Sequence, residues 1–110
     1  MAPAAKLVVL YPYPKNVDEF ERAYTDEHVP MVTPETMKGI TKFVATKMLG
    51  TPDGATPKFY RMAELHFPSI DVLKACASSE GGQKAVAHAV SISTGGTPLF
   101  LIAEEETRSF

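Results

Sequence analysis

From Lys6 to Tyr13 the chain reads KLVVLYPY, a β-rich run stopped by Pro12 and Pro14, and this predicts a first strand. Asn16 then offers a helix cap, with Glu19 three residues on as the second half of a capping box, so a helix is expected from Val17. Along it Phe20, Tyr24, His28 and Met31 recur at three- and four-residue spacing, while Asp18, Glu21, Arg22 and Asp26 fall elsewhere. That is one apolar stripe on an otherwise polar helix. Pro30 should disturb its last turn and Pro34 should end it, because proline removes a backbone donor and clashes with the preceding turn.

After Gly39 the pattern from Ile40 to Leu49 alternates and reads as a second strand, and Gly50 to Gly54 is rich in turn chemistry. Lys58 to Phe67 reads as a third strand, making a hairpin with the second. Ser69 is the expected cap of a second helix whose inner side carries Val72, Leu73 and Cys76, with Gly81 and Gly82 expected to break it. A further helical piece runs from Gln83 to about Ser91, and Gly95-Gly96 leads into a last strand from Pro98 to Glu104. The order strand, helix, hairpin, helix, strand is the split βαβ arrangement of ferredoxin-like α+β folds. It implies a four-stranded antiparallel sheet with helices on one face and the first and third strands central.

Two helices cover one face of such a sheet, so the other face should be polar in a monomer. Here both faces of the first strand are apolar, since Leu7, Val9 and Tyr11 alternate with Val8, Leu10 and Pro12. Burial against a second copy of the chain explains this, and a two-fold dimer would cover the patch. At 110 residues there is room for one domain spanning residues 1–110, and 45% apolar against 22% charged residues is a globular composition without the signature of disorder. The formal charge of -2 gives no attraction to nucleic acid or an anionic membrane. The start, Met-Ala-Pro-Ala-Ala-Lys, lacks a secretory signal pattern, which makes the cytoplasm the expected compartment. Cys76 is the sole cysteine, so no internal disulfide is expected, and it reads as a small buried side chain.

The opening KLVVLYPYP, the helix segment Tyr24-Thr-Asp-Glu-His28-Val-Pro30, the third strand Ala63-Glu-Leu-His-Phe67, Ser78-Ser-Glu-Gly81 and the Gly95-Gly96 turn together resemble the EthD family of the dimeric α/β-barrel superfamily. The tyrosine, histidine and proline at spacings of four and two are the most specific part. The resemblance implies a homodimer whose two sheets close a barrel, a cavity between sheet and helices in each subunit, and a link to oxidative breakdown of ethers and other small organic molecules. The wider superfamily holds cofactor-free oxygenases, lactone isomerases, polyketide cyclases and haem enzymes, so the reaction stays open.

His28 is the leading candidate for chemistry: it shares the inward stripe of Phe20 and Tyr24, and imidazole titrates near working pH, the alternative being a core histidine that fastens the helix end to a backbone carbonyl near the proline turn. His66 is a second catalytic candidate, and Glu64, two residues before it, shares its face of the third strand with Tyr60 and Met62. Alternatively Glu64 and His66 make a polar contact between subunits in the barrel interior or point to water at its rim. Tyr11, Tyr13, Tyr24 and Tyr60 offer phenolic donors to a substrate in an apolar pocket, or serve as core and interface aromatics. His88, sharing a helical side with Lys84 and Ser91 opposite Val86 and Val90, reads as exposed. There is no phosphate loop, no GxSxG or HExxH, and no zinc-site spacing, so no metal or cofactor is expected. A haem on His28 or His66 stays open through the superfamily analogy alone. The expected function is a small-molecule enzyme or catalytic accessory, working on a compact hydrophobic substrate by proton transfer or cofactor-independent oxidation. The alternative is a non-catalytic ligand-binding protein or accessory to an oxygenase.

Overall fold

The computed structural model describes residues 4–110; Met1, Ala2 and Pro3, half of the start read above for a secretory signal, lie outside them. Four strands, β1 (Ala5–Pro12), β2 (Lys42–Lys47), β3 (Phe59–Phe67) and β4 (Leu99–Glu104), form one antiparallel sheet in the order β2-β3-β1-β4. Helices α1 (Val17–Ala23), α2 (Ile70–Ser78) and α3 (Glu80–Ile92) complete the βαββαβ order. The expected α+β class, the ferredoxin-like order and the central places of β1 and β3 all hold. Among the described residues no helix is long and apolar enough to cross a membrane.

Local chemistry accounts for the helix starts. The Asn16 side chain accepts the Glu19 backbone N–H at 3.0 Å, and Ser69 accepts that of Val72 at 3.3 Å. The expected break at Gly81-Gly82 lies instead at Ser79, whose extended backbone ends α2 while its hydroxyl accepts the Gly82 N–H at 3.1 Å and caps α3. Both glycines are inside the first turn of α3. Their role is close approach: a Cβ on Gly81 would strike the Thr36 carbonyl, and one on Gly82 the Cys76 carbonyl.

The first helix does not run on unchanged to Pro30. Past Ala23 the backbone widens into a π turn, Tyr24–His28, followed by a short 3-10 turn, Val29–Met31. Pro30 has no N–H to continue the α pattern, and its ring crowds the carbonyl four residues back. In a regular α-helix residues four apart drift by about 40° around the axis. The wider turn winds back part of that drift, so Phe20, Tyr24 and His28 all reach the core. Arg61 on β3 makes a two-pronged ion pair with Glu21 of α1 at 3.0–3.1 Å, Lys47 of β2 joins at 2.6 Å, and the guanidinium lies 4.9 Å from the centre of the Tyr24 ring. Burial works against the Glu21 charge, yet these two cations hold its carboxyl below the usual range. This clamp fixes α1 and the π turn over the sheet.

Ala5, Val9, Tyr11, Ala63, Leu65 and Phe67 point from the sheet toward the helices and are buried. The opposite face carries Val8 and Leu10 of β1, Val44 of β2, Met62 of β3, and Leu99 and Leu101 of β4. Leu99 and Leu101 are about half exposed in the single chain, at 47% and 48%. The apolar second face read from the sequence is therefore present as a surface.

Candidate functional site

Between the helix-facing side of the sheet and the helices lies an apolar cavity of about 50 Å³, lined among others by Val9 and Tyr11 of β1, Leu65 of β3, Leu73 of α2, Ala85 of α3 and His28 of the π turn. That is room for about three waters, or a few atoms of a compact ligand. Among the described residues, every side-chain nitrogen and oxygen in its wall belongs to Tyr11 or His28. Leu73 is fully buried beside Cys76, whose thiol is pushed up by burial and contacts the Met37 sulfur at 3.7 Å.

Of the residues singled out in the sequence, Tyr11 and His28 line this cavity and touch: the Tyr11 hydroxyl lies 3.3 Å from His28 Nε2. Tyr24 stacks on His28 with ring centres 5.8 Å apart, but its own hydroxyl is buried without a hydrogen-bond partner. Tyr13 and Tyr60 pack edge to face at 5.3 Å beside Phe20, outside the cavity. Tyr60 departs from plain strand alternation because the register shifts opposite Tyr11 and Pro12, where Arg61 pairs with Tyr11 but Phe59 pairs with Pro12. Its ring turns toward α1 instead of sharing the face of Met62, Glu64 and His66.

Glu64 and His66 do not join His28. They alternate with Ala63, Leu65 and Phe67 and so lie on the side of the sheet away from the helices. There Lys6 pairs with Glu64 at 2.5 Å and Glu105 at 3.3 Å, and His66 lies 3.6 Å from each carboxylate. The ligand atoms of Glu64, His66 and Glu105 fall within 4.8 Å of one another, but the Lys6 ammonium already supplies the positive charge between the carboxylates.

His88, read as exposed, is the residue that sequence reasoning missed. Its ring lies edge to edge with that of His28 and nearly coplanar with it, with centres 5.2 Å apart and planes 7° apart, and the two Nδ1 atoms are 3.0 Å from each other. His88 Nε2 in turn faces Glu27 Oε1 at 3.4 Å. The phase of α3 had been taken from its largest apolar residues, Val86 and Val90, which are exposed. The buried positions are Ala85, Ala89 and Ile92, because small alanines let α3 lie close to the sheet, and this phase brings His88 round to the π turn.

For two neutral rings the bond directions follow from the Glu27 end. A carboxylate only accepts, so His88 Nε2–H donates to Glu27, and His88 Nδ1 accepts from His28 Nδ1–H. His28 Nε2 is then the acceptor of the Tyr11 hydroxyl. Burial pushes the Tyr11 phenol up, with Tyr24 adding to the effect, so Tyr11 keeps its proton. Burial raises Tyr24 to about 12 as well. His28 is pushed down to about 4, chiefly by burial and then by the neighbouring His88. Because the unfolded imidazole titrates near ~6.5, this contribution to stability is whole above that pH and lost as the pH falls toward ~4. The expected loss is about 3 kcal/mol, read by urea denaturation at pH 7.5 and 4.5, and His28→Gln should lack this part of it.

Compared with known proteins, the chain is 29% identical over 102 residues to an uncharacterised 11.0 kDa protein of the thcB–thcC intergenic region of Rhodococcus erythropolis, covering 93% of this chain and 95% of that one. A solved EthD family protein from Bacillus halodurans superposes with a TM-score of 0.85 at 25% identity, covering 94% of this chain and 99% of that one. More distant structures share the fold alone. One is a dimeric protein of ferredoxin-like fold from Bacteroides fragilis, with a TM-score of 0.68 at 14% identity over 93% of this chain and 96% of that one. Another is a cofactor-independent oxygenase from Streptomyces nogalater, with a TM-score of 0.62 at 8% identity over 99% of this chain and 97% of that one. The model of the EthD domain matches residues 14–90, most of the chain, including the π turn with His28 and the helix with His88 though not the β1 residues of the cavity wall, and the protein belongs to the EthD family.

Proposed function

We propose that this protein is a small-molecule enzyme that takes a proton from a compact hydrophobic substrate, as an isomerisation, cyclisation or the first step of a cofactor-independent oxidation. The observation that carries the reading is the neutral His28 at the wall of an apolar cavity, its Nε2 held only by a long bond to Tyr11. A ligand carbonyl or phenol accepts the Tyr11 proton in a hydrogen bond, Nε2 is released, and it removes an acidic C–H or O–H proton. The Tyr11 hydroxyl then steadies the enolate or phenolate. Likeness in fold to a cofactor-independent oxygenase supports the chemistry by analogy.

The working form in this proposal is a cytoplasmic homodimer, as relatives of this fold are described as dimeric. The half-exposed Leu99 and Leu101, with Val8 and Leu10 beside them, supply the apolar face that a second copy would cover.

The test is turnover and binding by the purified protein alone against a panel of compact phenols and ketones. Turnover that Tyr11→Phe lowers about 100-fold, the cost of one oxyanion donor, is the expected outcome. Tight binding without turnover across the panel would instead make the chain a ligand carrier or an accessory to a separate oxygenase.

A further inference from the structure

His28 has a difficulty as a base that its own position creates. It is buried, with 6% of its surface exposed, and a positive charge left on it would sit in an apolar wall. The structure offers a way out. His28 Nδ1 points not at solvent or a backbone carbonyl but at His88 Nδ1, 3.0 Å away, and His88 Nε2 points at Glu27, whose side chain is 48% exposed. Glu27 is held in place by Arg22 at 3.2 Å on its other oxygen. The turn that carries His28 also carries Glu27, and the partner ring comes from a different helix, so the alignment needs the π turn and the phase of α3 together.

We propose that His28, His88 and Glu27 form a proton relay from the cavity to the surface, so that a proton taken from the ligand passes to solvent and is not returned. This rests on the reading of His28 as the base. As the ligand proton bonds to His28 Nε2, the Nδ1–H proton of His28 moves to His88 Nδ1, and the Nε2–H proton of His88 moves to the Glu27 carboxylate and then to water. The electron pair of the broken bond stays on the ligand as an enolate or phenolate. Both rings end neutral with their tautomers exchanged, and no cation is left in the apolar wall. His88 touches no ligand and acts through His28 as a positioning residue. The relay favours reactions with net proton loss to solvent over isomerisations in which one base carries the same proton back.

Two measurements on the whole protein test this. In the ligand-free protein, ¹⁵N NMR of the imidazoles should show His28 protonated on Nδ1 and His88 on Nε2; the opposite pair overturns the relay. In D₂O with cyclopentanone as probe, wild type should exchange the α-hydrogens for deuterium. His88→Ala should slow this at least 10-fold at low buffer concentration and Glu27→Gln several-fold. Free imidazole should restore most of the His88→Ala rate, because His88 is partly exposed, and none of the His28→Ala rate, because His28 is buried. A His88→Ala protein that exchanges at the wild-type rate, or one that imidazole does not repair, overturns the relay. If wild type exchanges nothing, the base role of His28 fails separately, and the tautomer pattern alone then decides whether the rings are wired as proposed.

Discussion

His28→Gln is expected to abolish turnover, by about 100-fold or more, while the protein stays folded and keeps its oligomeric state. The magnitude is that of a lost general base. Glutamine keeps most of the imidazole's bulk and can still hydrogen-bond to Tyr11 and His88, so the cavity wall is preserved. It has no nitrogen able to take a proton near neutral pH. The effect should fall on kcat with little change in KM, since the apolar lining that holds the ligand is untouched. Because the buried histidine costs stability in acid, the same variant should resist denaturation at pH 4.5 better than wild type. Lost activity together with this gain would separate a chemical role from damage to the fold.

Leu101→Lys is expected to turn the proposed homodimer into a monomer. Leu101 pairs with Val8 on the face away from the helices, about half exposed in the single chain, so a lysine there costs the isolated subunit little. In the dimer it would be buried without a partner, and several kcal/mol against association corresponds to more than a 100-fold weaker dimer. Sedimentation equilibrium at micromolar concentration, with circular dichroism to show retained structure, reads this out. A Leu101→Lys protein that still sediments as a dimer would place the interface elsewhere. Lys6, Glu64, His66 and Glu105 share this side, and a second copy laid over it would remove their ion pairs from water.

The architecture was legible because its signals are local. Asn16 and Ser69 announce helix starts through side-chain hydrogen bonds, Phe20, Tyr24 and His28 mark one stripe, and alternation in β1 showed a sheet apolar on both sides. The site was legible only in part, since it depends on packing distances that no local pattern encodes. Tyr11 and His28 were found because each lies on an inward face. His88 was not, because valine outranks alanine in any reading of hydrophobicity, while the close contact of α3 selects alanine. The split of β3 into two environments also escaped the sequence. Glu64 and His66 looked equivalent to Tyr60 until the register shift near Pro12 turned Tyr60 toward α1 and left the other two on the open face. The π turn, too, could be placed near Pro30 but not identified, as proline signals a disturbance without fixing its form.

The central claim is that His28 Nε2 takes a proton from a ligand in the cavity. Exchange of the α-hydrogens of cyclopentanone for deuterium in D₂O, followed by proton NMR with wild type and His28→Gln side by side, tests it most directly. Wild type should exchange well above the buffer rate, and His28→Gln should lose about 100-fold or more of that enhancement. A His28→Gln protein that exchanges as fast as wild type would contradict the account.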